Sequence, residues 1–441
     1  MPQAVHRTPR MRPAGPDRTQ FDVPALPSVE PPAKLQPIQL LLPILGSLSI
    51  LVYGVMARTP VLLVTGGIMA LASLASPIVL HWSGRRTQRA RLAQRRLRYR
   101  ESLAALDAAA ATARARLASV LGEAHPTPAG YADWASSYRL WERRLEDDDV
   151  LAVRLGTADI PSGFTINRPS SGSADAEPDT ELATEVDAFV RTAGVLPAAP
   201  LCLDLADTGV LTIAGIRPRA LRLARAVVLE LALTCAPDDL AVMVAVPPGA
   251  LNAWDWAKWL PHTASSTARA TDRRLVTSAE DVERHLDDIV TPRLRLLEDG
   301  TWAASREAFP RVLVVVDRFD PFSEIGVSPT LTRTLERGPE VGVCVVALVD
   351  EARAAPTRAR ALVSVGSDGD AELRRLREAT SPVAFAPAEV GVPDAEKIAR
   401  FLAPKRLVAD SVRSARTTSG RLADLLPCGL LTGPEPDGPG G

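Results

Sequence analysis

Cysteine, histidine and aromatic residues are all scarce in this chain, and each scarcity removes a class of function. Only four cysteines (Cys202, Cys235, Cys344, Cys428) stand among the 441 residues, far apart and in no CxxC or Cys/His cluster. That spacing argues against a zinc site and against a disulfide framework, and it fits a reducing cytosol. The five histidines (His6, His81, His125, His262, His285) are equally scattered, so no metal site is expected. The formal net charge is −1, which offers no electrostatic footprint for a nucleic-acid partner. A complete phosphate loop, GxxxxGK[ST], is also missing from all 441 residues.

What the sequence does contain is long apolar runs. The stretches Ile38 to Ala57 and Val61 to Leu80 carry no charge. Each approaches the ~20 residues a helix needs to cross a bilayer core. The connection Arg58-Thr59-Pro60 is too short to be a domain, so the pattern predicts a two-helix transmembrane hairpin over 38–80. Eight arginines follow (Arg85, Arg86, Arg89, Arg91, Arg95, Arg96, Arg98 and Arg100), and the preceding segment is basic on balance. By the positive-inside rule both termini are expected in the cytoplasm, with a multi-pass protein in the plasma membrane. A signal peptide fits poorly, because a Pro-rich leader of about thirty-five residues comes first. The arginine run reads either as a topology signal or as a lipid head-group contact.

After the arginines, Tyr99, Leu103, Leu106, Ala110, Ala113, Leu117 and Val120 recur at steps of three and four, which predicts a helix with one apolar seam. Tyr131, Trp134, Tyr138, Trp141 and Leu145 continue that spacing beyond Gly122 and Pro126. The simplest arrangement is an antiparallel pair with the two seams face to face. Farther on, Leu240–Val246, Val312–Val316 and Val341–Leu348 are almost continuously apolar, as expected for strands buried on both faces of a parallel sheet. Strand–helix alternation predicts a layered α/β domain.

The place to look for a nucleotide site is the turn after the first central strand. It reads Ala214-Gly215-Ile216-Arg217-Pro218-Arg219, with one glycine but no second glycine, no lysine and no hydroxyl ligand for magnesium. Arg217 or Arg219 offers positive charge at a helix start. Val312–Asp317 has the form of an apolar strand ending in an acid. Without a phosphate loop that carboxylate has no magnesium–phosphate partner. No catalytic, cofactor-binding or metal residue is therefore assigned.

Several stretches resemble one family. They are Tyr138-Arg139-Leu140-Trp141-Glu142-Arg143-Arg144, then Val153-Arg154-Leu155-Gly156, then Trp254-Asp255-Trp256-Ala257-Lys258-Trp259-Leu260-Pro261-His262. With the leader, apolar pair and Arg-rich stretch, they resemble the N-terminal portion of EccC, the FtsK/SpoIIIE-type ATPase of type VII (ESX) secretion systems. The resemblance covers roughly residues 5 to 410. It implies a membrane anchor and stalk followed by a degenerate ATPase-like domain, with P-loop motor modules absent up to Gly441. The three tryptophans Trp254, Trp256 and Trp259 read either as core packing or as a partner surface.

The expected organisation is a Pro-rich cytoplasmic leader over 1–37, the hairpin over 38–80, a stalk over 84–167 and a linker over 168–180. A Rossmann/RecA-like layered α/β domain without a P-loop follows over 181–410, and then a C-terminal segment with a disordered Gly/Pro tail over 411–441. The expected function is a membrane-anchored, non-catalytic component of a type VII-like secretion complex. Its expected partners are other membrane subunits of the translocon, the lipid bilayer and a separate P-loop motor chain, in a homo- or hetero-oligomer. Two alternatives stand beside it: an ATP-binding secretion ATPase with an unconventional loop at Gly215 and Asp317, and a stand-alone truncated paralogue acting as a regulator.

Overall fold

Runs of valine bounded by turn residues become the central strands. The computed structural model of the chain describes residues 3–8, 10, 19–29, 49, 52, 56, 60–168, 177–265 and 273–408. It divides into two units. The first comprises Met1–Pro13, Leu121–Ala158 and Ala198–Gly441, and the second Ala14–Val120 and Asp159–Pro197.

The first unit is built on a ten-stranded mixed sheet. Its strands in chain order are β1 (Ala152–Pro161), β2 (Val195–Asp204), β3 (Val210–Gly215), β4 (Leu240–Ala245) and β5 (Leu275–Val276). They continue with β6 (Arg311–Val316), β7 (Val343–Val349), β8 (Ala361–Val365), β9 (Ala371–Arg375) and β10 (Val383–Pro387). Six helices of the described residues are longer than eight residues: α1 (Pro60–Ala124), α2 (Thr180–Ala193), α3 (Arg217–Thr234), α4 (Ala279–Glu298), α5 (Pro329–Arg337) and α6 (Val392–Leu402).

The spatial strand order is β5-β4-β6-β7-β3-β8-β9-β10-β1-β2. Pairing is parallel from β5 to β8 and antiparallel from β8 through β9 and β10 to β1. Alternate side chains supply the two faces. Val312, Val314 and Val316 of β6 join Met243, Val343 and Val345 in a core closed by Val282, Leu286 and Val290 of α4 and Leu331 and Leu335 of α5. On α3, every residue from Leu223 to Thr234 is buried, so this helix is apolar nearly all round. The α/β expectation is met.

The Val153–Gly156 motif now has a reason. Val153 and Leu155 are fully buried, and Gly156 lies so close to the neighbouring strand that a Cβ would stand 2.1 Å from the Ala386 carbonyl oxygen. Only glycine lets β1 approach β10 at that point.

In the second unit, Tyr99, Leu103 and Ala110 of α1 pack with Leu182, Val186, Phe189 and Ala193 of α2, together with Phe21 and Val23. Arg96 bonds Asp179 at 2.6 Å, and Arg100 bonds Glu181 at 2.6 Å and Glu185 at 2.7 Å, along the edge of this seam. The partner of the Leu/Ala seam is thus α2 and not the 131–145 stretch. There the helix spans only Tyr131–Ser136, and Trp141 takes a left-handed φ of 61° that ends helical spacing.

The transmembrane hairpin is corrected. Among the described residues no helix is long and apolar enough to cross a membrane. The expected multi-pass location in the plasma membrane, with both termini cytoplasmic and a bilayer partner, falls with it. The first expected span, 38–57, lies outside the described residues apart from Ser49, Val52 and Met56. The second is the opening of α1, which continues unbroken through the arginines to Ala124. Of its apolar side chains, Val64, Ile68 and Leu71 are exposed. Residues 169–176 of the expected linker and 409–441 at the C-terminal end also lie outside the described residues.

Removing the Phe189 ring from the α1–α2 seam by Phe189→Ala is expected to cost about 3–5 kcal/mol. Arg100→Ala is expected to leave the transition close to that of the parent. Urea melts followed by circular dichroism compare the two.

Candidate functional site

In an open parallel sheet, ligands gather at the carboxyl ends of the strands. Here those ends carry Gly215 after β3 and Asp317 after β6. Gly215 has a φ of 117°, and a Cβ on it would lie 2.3 Å from the Val365 carbonyl oxygen, so the tight exit from β3 requires glycine. Ile216 follows as the N-cap of α3 with no side-chain cap, and Arg217 is the first helical residue.

The sequence treated Arg217 and Asp317 as separate candidates, and the structure joins them. Arg217 Nη1 donates to Asp317 Oδ1 at 2.6 Å and Nη2 to Oδ2 at 2.8 Å. The indole Nε1 of Trp254 donates to the same Oδ2 at 3.0 Å. Asp317 is 1% exposed and Trp254 is fully buried. The hydrogen bond to Asp317 raises the Arg217 pKa above its usual value against the opposing effect of burial. Both carboxylate oxygens are engaged in a bidentate, charge-assisted pair, so a divalent cation would have to displace the guanidinium to reach them.

The other arginines of α3 also have protein partners. Arg219 Nε bonds Glu389 Oε1 at 2.9 Å, and its Nη1 reaches the Gly366 and Ser367 carbonyls at 3.3 Å. Arg222 bonds Glu389 Oε2 at 3.2 Å. Arg225 contacts the Val390 carbonyl at 3.4 Å, and burial lowers its pKa. A cavity of about 340 Å³ remains beside Asp317, lined by Pro247, Pro248, Ser278, Phe319 and Ile325 among others. The N-cap Ser278 on its wall accepts from the Asp281 amide at 3.1 Å, so the start of α4 is capped from within. Among the described residues no group of three or more His, Cys, Asp or Glu is placed to hold a metal ion.

The tryptophan motif packs inward. Trp254 and Trp256 are buried and stacked with centroids 6.0 Å apart, on short 3-10 turns instead of one α-helix. Trp259 is half-buried, with the Arg400 guanidinium 4.1 Å from its ring centroid. His262 Nε2 donates to the Cys235 carbonyl at 2.9 Å, which fixes the neutral tautomer. Burial pushes its pKa down to about 4 against the small upward effect of that bond.

A second polar group was missed altogether. Glu230, in the apolar C-terminal half of α3, is fully buried. Its Oε1 lies 2.8 Å from His125 Nδ1, and its Oε2 accepts the Arg154 amide at 2.9 Å. Arg143, also fully buried, donates to the Ala124 carbonyl at 3.0 Å and sits 4.0 Å from Glu230. Trp141 Nε1 donates to the Ala232 carbonyl at 3.0 Å, and Tyr131 Oη to Ala226 at 3.2 Å. The Tyr138–Arg144 motif is therefore scaffold around α3. The lone acid within Val227-Val228-Leu229-Glu230-Leu231-Ala232-Leu233 was the available signal.

No family model matches the chain. It is 27% identical over 306 residues to the ESX secretion system protein EccC of Thermomonospora curvata, covering 65% of this chain and 21% of that protein. It is 26% identical over 209 residues to the ESX-5 secretion system protein EccC5 of Mycobacterium tuberculosis, covering 46% of this chain and 15% of the relative. The chain thus spans about a fifth or less of the length of these relatives. The solved cytoplasmic domain of the Thermomonospora curvata type VII secretion ATPase EccC aligns with a TM-score of 0.39 and 18% identity, over 60% of this chain and 32% of that one. In sequence, the chain is thus similar to part of the EccC proteins of ESX secretion systems.

Two outcomes follow from the site. Arg217→Ala strands a buried carboxylate and is expected to destabilise the protein by about 2–4 kcal/mol, most of it recovered in Arg217→Met/Asp317→Leu, as double-mutant denaturation would read. His262 is neutral when folded down to about pH 4 but takes up a proton near pH 6.5 when unfolded. Its contribution is intact above 6.5 and declines as pH falls towards 4, by up to about 1.4 kcal/mol per pH unit. His262→Asn should flatten that part of the stability profile.

Proposed function

We propose that this chain is a non-catalytic structural and docking component of a type VII-like secretion complex, related to EccC. The observation that carries the proposal is the bidentate Arg217–Asp317 pair at the carboxyl end of the sheet. A nucleotide enzyme needs that carboxylate for magnesium and needs the preceding loop for phosphate. In this chain an arginine from the loop neutralises the carboxylate, and Trp254 completes its coordination. The remaining α3 guanidinium groups bond Glu389 or backbone carbonyls, so the loop offers no cradle of free positive charge. The reading expects other secretion-system subunits as partners, with any P-loop motor supplied outside the α/β unit.

The proposal is tested by complementation. In a strain lacking the gene, Arg217→Gln/Asp317→Asn should restore secretion to within about twofold of the wild type and co-purify the same secretion subunits. Loss of secretion by a variant that accumulates and still co-purifies those subunits would assign the pair a catalytic role and overturn the reading.

A further inference from the structure

Gln3–Val5 forms a strand on the first unit, and the side chains of Arg7 and Arg10 beyond it enter a built site. Gln3–Val5 pairs in parallel with Lys405–Leu407, in the register Gln3↔Lys405, Ala4↔Arg406, Val5↔Leu407. The Gln3 amide donates to the Pro404 carbonyl at 2.7 Å, and the Val408 amide donates to the Val5 carbonyl at 3.0 Å. Beyond this ladder two arginines enter carboxylate pockets. The Arg7 side chain is 5% exposed and bonds Asp239, whose side chain is 1% exposed. The Arg10 side chain is 7% exposed. Its Nη1 donates to Asp147 Oδ2 at 2.9 Å and Asp149 Oδ1 at 2.7 Å, and its Nη2 to Asp149 Oδ2 at 2.5 Å. Between them Thr8 Oγ1 donates to the Tyr138 carbonyl at 3.1 Å.

This is the anatomy of strand-addition recognition: main-chain bonds supply general affinity, and spaced pockets supply specificity. The pockets belong to different parts of the unit, Asp239 just before β4 and Asp147 with Asp149 just before β1. Although burial pushes the Asp149 pKa up, the Arg10 bond and the charges of Arg143 and Arg10 hold it down at about 2. The covalent attachment of the arm is remote as well. After Pro13 the chain belongs to the second unit and re-enters the first only at Leu121. An arm attached so indirectly makes the same contacts whichever copy of the chain supplies it, the topological condition for exchange between protomers.

We propose that this surface is a binding site for an extended peptide bearing two arginines three residues apart, filled in cis by residues 3–10 and able to take the same segment from a second copy of the chain. Tethering favours the cis arrangement at low concentration. Vacating the site, or crowding copies together, opens it to the segment in trans.

The test uses the full chain carrying Arg7→Ala and Arg10→Ala, which empties the pockets, and a fluorescein-labelled peptide of residues 1–13 of this sequence. A second preparation lacks residues 2–13. Fluorescence anisotropy should show saturable binding to both. Binding should weaken at least tenfold for the peptide with both arginines replaced by alanine, and similarly when Asp147→Asn/Asp149→Asn is added to the emptied protein. The wild type, its site occupied, should bind far less. Absence of binding by either emptied protein, shown folded by circular dichroism, would overturn the proposal. Failure of both to fold would overturn it equally, because the arm would then be an integral part of the core and not a ligand.

Discussion

A fully buried glutamate in the apolar C-terminal half of a helix is the constraint around which the α/β unit is arranged. Taking a carboxylate out of water costs several kcal/mol unless its lone pairs are met. Glu230 is met by the His125 ring, by the Arg154 amide and, at longer range, by the Arg143 guanidinium. Those groups come from three places: the end of α1, the turns that follow it, and the first residues of β1. Satisfying one side chain therefore fixes the path of the chain from Leu121 to Arg154 against α3. Trp141, held in a left-handed conformation, and Arg143 then bond the last carbonyls of α3 through their backbone amides.

Anchoring α3 along its C-terminal half sets the position of its start. The helix begins directly after Gly215, whose tight passage by Val365 leaves no room for a side chain. The first helical side chain is then Arg217, and it meets Asp317 across the carboxyl end of the sheet. In a nucleotide-binding unit this is where phosphate oxygens and magnesium would neutralise the acid. Here a protein cation neutralises it, and an indole from the tryptophan motif supplies the third bond. The tryptophan and Tyr138–Arg144 motifs thus serve packing and charge compensation in this chain.

Much of the fold was legible because its signals are local and strong. The short valine-rich runs ending in Val316 and Leu348 favour buried strands, and the Leu103–Ala110 seam has helical spacing. Which partner that seam meets was not legible: α2 lies about seventy residues away, and the Tyr131–Leu145 spacing mimicked a helix until the left-handed Trp141 broke it. The hairpin reading is corrected by the described residues, among which no helix is long and apolar enough to cross a membrane. At the site, Gly215, Arg217 and Asp317 were each picked out, but their union depends on parallel strand order that no single segment encodes. Glu230 was overlooked because a lone acid in an apolar run has no meaning until its partners, more than seventy residues away, are in place.

The proposed function rests on Arg217 holding both oxygens of Asp317 against a magnesium nucleotide. Trp254 reports on this directly, since its indole N–H donates to the same carboxylate. The most direct measurement follows the Trp254 indole resonance by NMR, assigned with Trp254→Phe, while magnesium ATP is titrated to millimolar concentration. The account predicts no change in that resonance. A saturable shift that disappears in Asp317→Asn would show nucleotide reaching the carboxylate and would contradict it.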